Sequence, residues 1–139
     1  MTLKIQVGSL VFHGRWEEAR SPRTCAALRA LLPINGRLRH GRWSGEAGWL
    51  PLGNLDLGTG YERPTSYPQP GQILWHPPGM SEAELLIPYG PAHFSSQAGQ
   101  LAGNHCITLL ATAEEIAAIG ELLLTHGAQP ISIIENETV

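Results

Sequence analysis

The 139-residue chain lacks basic residues beyond Arg63. All nine Lys and Arg lie between Lys4 and Arg63, whereas the rest of the chain carries seven Glu. The net charge is −3, and aromatic residues do not alternate with the arginines as a base-stacking surface would require. The sequence therefore argues against nucleic-acid binding.

Long apolar runs are also missing. No run approaches the ~20 residues that span a bilayer. Residues 1–7 have neither the basic start nor the long apolar centre of a secretory signal. We therefore expect a cytoplasmic protein without a membrane partner.

Cysteine and aspartate are scarce. Cys25 and Cys106 lack the paired spacing of a metal or redox motif, which predicts two buried free thiols. Asp56 is the only aspartate, and no nucleophile-elbow motif is present, which argues against a Ser-His-Asp triad. No histidines or carboxylates show ligand spacing, so neither a metal site nor a cofactor is predicted.

Glycine and proline are plentiful, at 16 and 11 residues, which favours a β-rich fold with many turns. The length predicts one domain over residues 1–139 around a single core. Two alternating segments, Leu3 to Val7 and Leu10 to Trp16, predict a hairpin with Gly8-Ser9 as its turn.

A helix is predicted to begin at Ser21 and Pro22 and to stop before Pro33. Residues 34–52 are predicted to be extended, with Asn35-Gly36 as a turn. Further strands are predicted at 73–76, 85–89, 106–110 and 131–135.

A second helix is predicted from Ala113 to His126, with a capping box formed by Thr112 and Glu115 and a stop at Gly127. Strands and helices do not alternate along the chain, which disfavours a parallel α/β sheet. The predicted fold is mainly β: a closed barrel of about eight strands capped by two helices.

Two glycine-broken polar runs, residues 42–47 (RWSGEA) and 99–105 (GQLAGNH), are predicted to line one pocket. In an extended strand Arg42, Ser44 and Glu46 would share one face. Arg42 suits a carboxylate or carbonyl ligand, and Glu46 would act as a base or orient Arg42. The alternative is that these side chains lie on a solvent-exposed strand face and do not line a pocket.

The second run offers Gln100 and Asn104, whose amides would bind an amide or imide ligand on both its donor and acceptor sides. His105 is the predicted general acid or base, with a loop-fixing structural role as the alternative. Trp49 and Tyr67 are further predicted ligand contacts, although Tyr67 also suits simple packing. Three further histidines are weaker candidates and are interpreted as structural: His76, His93 and His126. For His76 the alternative is a place at the mouth of the pocket.

Segments 17–31 and 102–107 resemble the first helix and a strand entry of cyclophilins. Runs 42–47, 65–71 and 99–105 resemble the signature of DUF3830, an uncharacterised bacterial family with a cyclophilin-like barrel. This resemblance spans nearly the whole chain and implies a cyclophilin-like barrel of unassigned function. The chain departs from the family pattern at His76 to Gly79 and at Gln97, which leaves the roles of those positions open.

Three functions remain open. The first is an enzyme acting on a small polar amide, imide or carboxylate, with Glu46 and His105 moving protons. The second is a module that binds a small ligand or peptide without chemistry. The third is prolyl isomerisation, although the apolar cluster that follows the catalytic arginine of prolyl isomerases is not evident after Arg42. A small molecule is the expected partner, and an apolar barrel exterior would allow a homodimer.

Overall fold

The structure, a computed structural model, describes residues 2–136. Ten strands and two helices follow one another in these residues. In chain order the elements are β1 (Thr2–Val7), β2 (Leu10–Trp16), α1 (Pro22–Ala30), β3 (Ile34–His40), β4 (Gly45–Pro51), β5 (Gln72–His76), β6 (Glu84–Ala92), β7 (Ser95–Ser96), β8 (Gly99–Gln100), β9 (Asn104–Leu109), α2 (Ala113–His126) and β10 (Gln129–Asn136).

Eight strands close into an antiparallel barrel in the order β1-β10-β3-β4-β6-β5-β9-β2. The predicted mainly β fold, a closed barrel with two helices, is therefore confirmed. The predicted β1–β2 hairpin is present, with Val7 paired to Leu10. Each barrel strand pairs with a neighbour on both sides, which closes the sheet on itself.

Helix α2 begins with the predicted capping box, in which Thr112 and Glu115 exchange hydrogen bonds. Its apolar face packs on β6, β4 and β3. Helix α1 begins at Pro22 as predicted, but the Ser21 hydroxyl caps no helix N–H and instead donates to the carbonyl of His105 at 2.8 Å. Ser21 therefore ties α1 to β9.

Asn35-Gly36 does not form a turn, so that prediction is wrong. Both residues lie inside β3, where Asn35 pairs with Ser132 and Gly36 with Ile131 of β10. The turn lies at residues 41–44, between β3 and β4. Pairing with β10 outweighs the local turn preference of the dipeptide because it satisfies the backbone of the strand.

A small second core lies on the outer face of the barrel. Ala47, Leu74 and Leu86 project outward from β4, β5 and β6, and Phe94 and Leu101 cover them. The covering segment, residues 93–103, contains the β7–β8 hairpin. This segment forms one wall of the candidate site.

The two cysteines are buried free thiols, as predicted. Within residues 2–136, no helix combines the length and hydropathy needed to cross a membrane.

Candidate functional site

A cavity of about 220 Å³ lies beside the second core; we call it cavity one. Its apolar lining includes Trp49 of β4 and Leu86 of β6, neighbours across the β4–β6 pair. The polar lining comes from the 41–44 turn, the β5–β6 connection and the 93–103 segment. The residues lining cavity one are Gly41, Arg42, Trp43, Ser44, Trp49, Ser81, Glu82, Glu84, Leu86, Ser95, Ser96 and Gln97.

The 41–44 turn is held by Ser44 and Gly45. Ser44 Oγ donates to the carbonyl of Ser95 and accepts from the Ser95 N–H, both at 3.0 Å. Gly45 adopts φ +83°, a conformation that favours glycine, and the β4–β6 register shifts between Gly45 and Ala47. Ser44 thus fixes the wall of the cavity, and its hydroxyl is already hydrogen-bonded to the neighbouring segment.

Arg42 and Trp43 form the outer rim of cavity one. Both side chains are exposed, and Trp43 shows 53% of its surface to solvent. Within residues 2–136, Arg42 makes no salt bridge. Its guanidinium is therefore available to an anionic or carbonyl oxygen entering the cavity.

The inner polar group is Glu84, which is only 7% exposed. Burial, reinforced by the nearby Glu82 carboxylate, raises the pKa of Glu84 to about 8. A carboxyl group with such a pKa is mostly protonated at neutral pH, so that it donates a hydrogen bond instead of presenting a negative charge.

Ser81 lies in the same connection between β5 and β6. Its hydroxyl oxygen is buried and has no hydrogen-bond partner within residues 2–136. Unpaired buried polar atoms are uncommon in native proteins, and those that occur often serve catalysis or bind a ligand.

A second cavity, of about 240 Å³, borders β5 and the β5–β6 connection through His76 and Met80; we call it cavity two. It is lined by Tyr61, Pro64, Ser66, His76, Met80, Gln100, Leu101 and Ala102. His76 of β5 is directly paired with Glu84 of β6, and paired residues of antiparallel strands project from the same face.

His76 is 3% exposed, and its ring packs edge-on against Phe94. Its Nδ1 lies 3.0 Å from the carbonyl of Ala102, which can only accept, so Nδ1 carries the proton when the ring is neutral. Nε2 is then a hydrogen-bond acceptor. It is buried and finds no partner in residues 2–136.

Asn104 does not line either cavity. Its Oδ1 accepts from the N–H of Glu62 at 2.7 Å, and its Nδ2 donates to Thr24 Oγ1 and to the carbonyl of Gly60. Burial alone would raise the pKa of Glu62, but hydrogen bonds from Thr24 and Arg23 outweigh it and hold that pKa below its usual value. Asn104 therefore joins α1 to the 59–62 loop, a structural role that sequence reasoning missed.

His105 also points away from cavity one. Its Nε2 lies 2.8 Å from Thr108 Oγ1, which in turn donates to Glu17. Burial lowers the pKa of His105, partly opposed by the Glu17 carboxylate. These contacts fit the alternative prediction, a histidine with a structural role. His105 lines neither cavity, whereas Arg42 lines cavity one.

Glu46 lies on the other face of β4 from Ala47. A Cβ added to Gly90 would meet Glu46 Oε1 at 2.5 Å, which places this carboxylate over β6. Burial and the neighbouring Glu46 raise the pKa of Tyr89, whose hydroxyl lies 2.7 Å from His40 Nε2. The expected common face of Arg42, Ser44 and Glu46 is wrong because residues 41–44 turn instead of extending.

Gln100 and Tyr67 belong to a surface cluster around His93. Gln100 Oε1 lies 2.9 Å from His93 Nε2, and Tyr67 stacks on the same ring at a centroid distance of 4.6 Å. Gln100 also lines cavity two. Of the predicted site residues, the structure thus brings Arg42, Ser44 and Trp49 to cavity one, and Gln100 to cavity two.

Sequence reasoning did not find Ser81 and Glu84, and it favoured a structural role for His76 over a place at the mouth of the pocket. The available signal was a carboxylate and a histidine bounding a proline-glycine turn, each at the end of an apolar strand. Within residues 2–136, no three His, Cys, Asp or Glu side chains are placed to hold a metal ion.

Comparison with known proteins identifies one family. The sequence profile described as "Protein of unknown function (DUF3830)" matches residues 3–135. No curated protein matches the chain. A solved structure described as "Structure of McbB in complex with tryptophan" superposes with a TM-score of 0.75 at 15% identity, covering 99% of this chain and 46% of that one. The chain thus spans about half the length of that structural relative, and the likeness concerns the fold.

Proposed function

The chain belongs to the DUF3830 family, and on that premise we propose that it binds a small polar metabolite bearing a carboxylate in cavity one. The observation that carries the proposal is that one cavity holds both Arg42, exposed at the rim and without a salt bridge within residues 2–136, and the buried Glu84, whose pKa burial raises to about 8. An arginine fork suits a carboxylate, and the indoles of Trp43 and Trp49 supply flat apolar walls.

The positions of the charged side chains around cavity one support binding of the ligand in a single orientation. Glu82 lies in the connection between β5 and β6 and Glu84 is the first residue of β6, whereas Arg42 comes from the turn before β4. Because Glu84 is neutral near pH 7, it does not repel an anion as a second exposed carboxylate would. The carboxylate end of the ligand therefore belongs at Arg42 and its neutral end at Glu84.

An NMR titration tests this proposal. Benzoate and tryptophan, the latter because the structural relative is described in complex with it, are added to uniformly ¹⁵N-labelled protein. We expect shifts in the indole N–H signals of Trp43 and Trp49, but not of the core residue Trp75. Arg42→Gln should weaken binding by about tenfold.

The matched control is Arg39→Gln, which removes an exposed arginine from β3 that does not line the cavity. Equal effects of the two substitutions, or an absence of indole shifts with either probe, would contradict the proposal.

The pKa of Glu84 favours a second candidate function, proton transfer to or from the bound ligand. In this account Glu84, and not Glu46 or His105, is the general acid. Recovery of a bound ligand unchanged after long incubation would identify a binding module, whereas turnover abolished by Glu84→Gln would identify an enzyme.

A further inference from the structure

Two polar atoms of the β5–β6 hairpin are fully buried and have no hydrogen-bond partner within residues 2–136. They are His76 Nε2 and Ser81 Oγ. Glu84, at the start of β6, is also largely buried, at 7% exposure. Leaving a buried donor or acceptor unpaired costs about 1–3 kcal/mol. Two such atoms within six residues, beside the largely buried Glu84, indicate a site where a ligand supplies the missing hydrogen bonds.

His76 and Glu84 are neighbours in space as well as in the hairpin. They are paired in the register of β5 and β6, so their Cβ atoms lie about 5 Å apart and their side chains project from one face. Each lines a different cavity, Glu84 cavity one and His76 cavity two. The pair therefore lies between the two cavities.

The hydrogen-bonding roles of the pair are complementary. His76 Nδ1 donates to the Ala102 carbonyl, which leaves Nε2 as an acceptor. Because burial keeps Glu84 protonated near neutral pH, its carboxyl group donates. One acceptor beside one donor matches a group that itself offers an adjacent N–H and C=O.

We infer that His76 and Glu84 recognise an amide-type group of the ligand, such as a carboxamide, lactam or imide, with the ligand N–H on His76 Nε2 and its carbonyl on Glu84. This inference rests on the proposed function, because it assigns the neutral end of the ligand whose carboxylate lies at Arg42. Ser81 Oγ, which lines cavity one, is the third polar group of the recognition site.

Two matched probes test the inference. Succinamate carries one carboxylate and one carboxamide, and monomethyl succinate has the same size and carboxylate but no N–H. We expect succinamate to bind at least about tenfold more tightly in NMR titrations, since the ester leaves His76 Nε2 unpaired. The preference should disappear in His76→Leu, while the affinity for monomethyl succinate stays unchanged.

His93→Leu is the matched control, because His93 is a histidine outside the core that lines neither cavity. Glu84→Met provides a second variant should His76→Leu fail to fold. Because Glu84 contacts the carbonyl that both probes carry, Glu84→Met should weaken the binding of both and leave the preference for succinamate. Glu84→Gln, whose amide still donates, should weaken both probes less.

Equal affinity for the two probes, a preference that survives His76→Leu, or an affinity for both probes that is unchanged in Glu84→Met, would overturn the inference and leave the proposed function standing. Failure of both probes to shift any cavity-one resonance would overturn the inference and the proposed function together.

Discussion

The side-chain oxygen of Asn104 accepts a hydrogen bond from the backbone N–H of Glu62 at 2.7 Å, in the fully buried space between β9 and the 59–62 loop. The same amide donates to Thr24 of α1, while the carboxylate of Glu62 accepts from the N–H and hydroxyl of Thr24. A residue predicted to bind a ligand therefore holds a helix and a loop together.

Asn104→Ala should destabilise the protein without changing cavity one. The substitution leaves the Glu62 N–H and the Gly60 carbonyl without their partner, so we expect a loss of about 2–4 kcal/mol in the free energy of unfolding. Urea denaturation measures it. Gln100→Ala, at an exposed position, is the control and should cost less than about 0.5 kcal/mol.

His105→Ala should leave probe binding unchanged, because His105 contacts Thr108 and lines neither cavity. The expected effect is lower stability alone, by about 1–3 kcal/mol, through loss of a buried hydrogen bond. NMR titration with benzoate compares the variant with the wild type. A tenfold weaker affinity in a folded variant would contradict this prediction and show that His105 contributes to the binding site.

The pH dependence of stability should reveal Glu84. Its pKa of about 8 means that the folded protein keeps a proton that the unfolded chain releases above the usual glutamate pKa, about 4.3. Between these two values the free energy of unfolding should fall with rising pH, by at most about 1.4 kcal/mol per pH unit.

Glu84→Gln should remove this slope. The lowered pKa of His105 acts in the opposite direction below its usual pKa, about 6.5, so the comparison is clearest from neutral pH to about 8. Melting temperatures of the two proteins across that range provide the measurement. Parallel curves would show that Glu84 is ionised in the folded state.

Gly120→Ala should strongly destabilise the packing of α2 on the barrel. A Cβ at position 120 would overlap the ring of Tyr89, so Tyr89 and its partner His40 would have to move. Because the overlap is severe, the overpacking cost should lie in the upper part of the range of about 1–3 kcal/mol and so exceed the helix-propensity gain of about 1 kcal/mol. Thermal unfolding of the variant measures the net loss, and Ala117→Gly on the exposed face is the comparison.

Much of the fold could be predicted because its signals are local. The Gly8-Ser9 hairpin and the Thr112 capping box depend on a few neighbouring residues, and both are present. The prediction of a turn at Asn35-Gly36 failed for the opposite reason. The conformation of this dipeptide is decided by pairing with β10, almost one hundred positions later. The turn propensity of a dipeptide contains no information about pairing with a distant strand.

The site was harder to predict because non-local packing builds it. Cavity one exists where the 93–103 segment covers the outer face of β4 and β6, so the choice of facing residues depends on barrel closure. Arg42 and Trp49, which line cavity one, could be proposed as ligand contacts from their residue types. Glu84 was missed because its chemistry comes from burial, which the sequence alone does not display.

A crystal structure of the protein soaked with succinamate tests the central claim most directly. We predict the ligand in cavity one, with its carboxylate on the Arg42 guanidinium and its amide within hydrogen-bond distance of Glu84 and His76. Ligand bound only beside His105 or Asn104, or an empty cavity one in crystals of a protein that binds succinamate in solution, would contradict it.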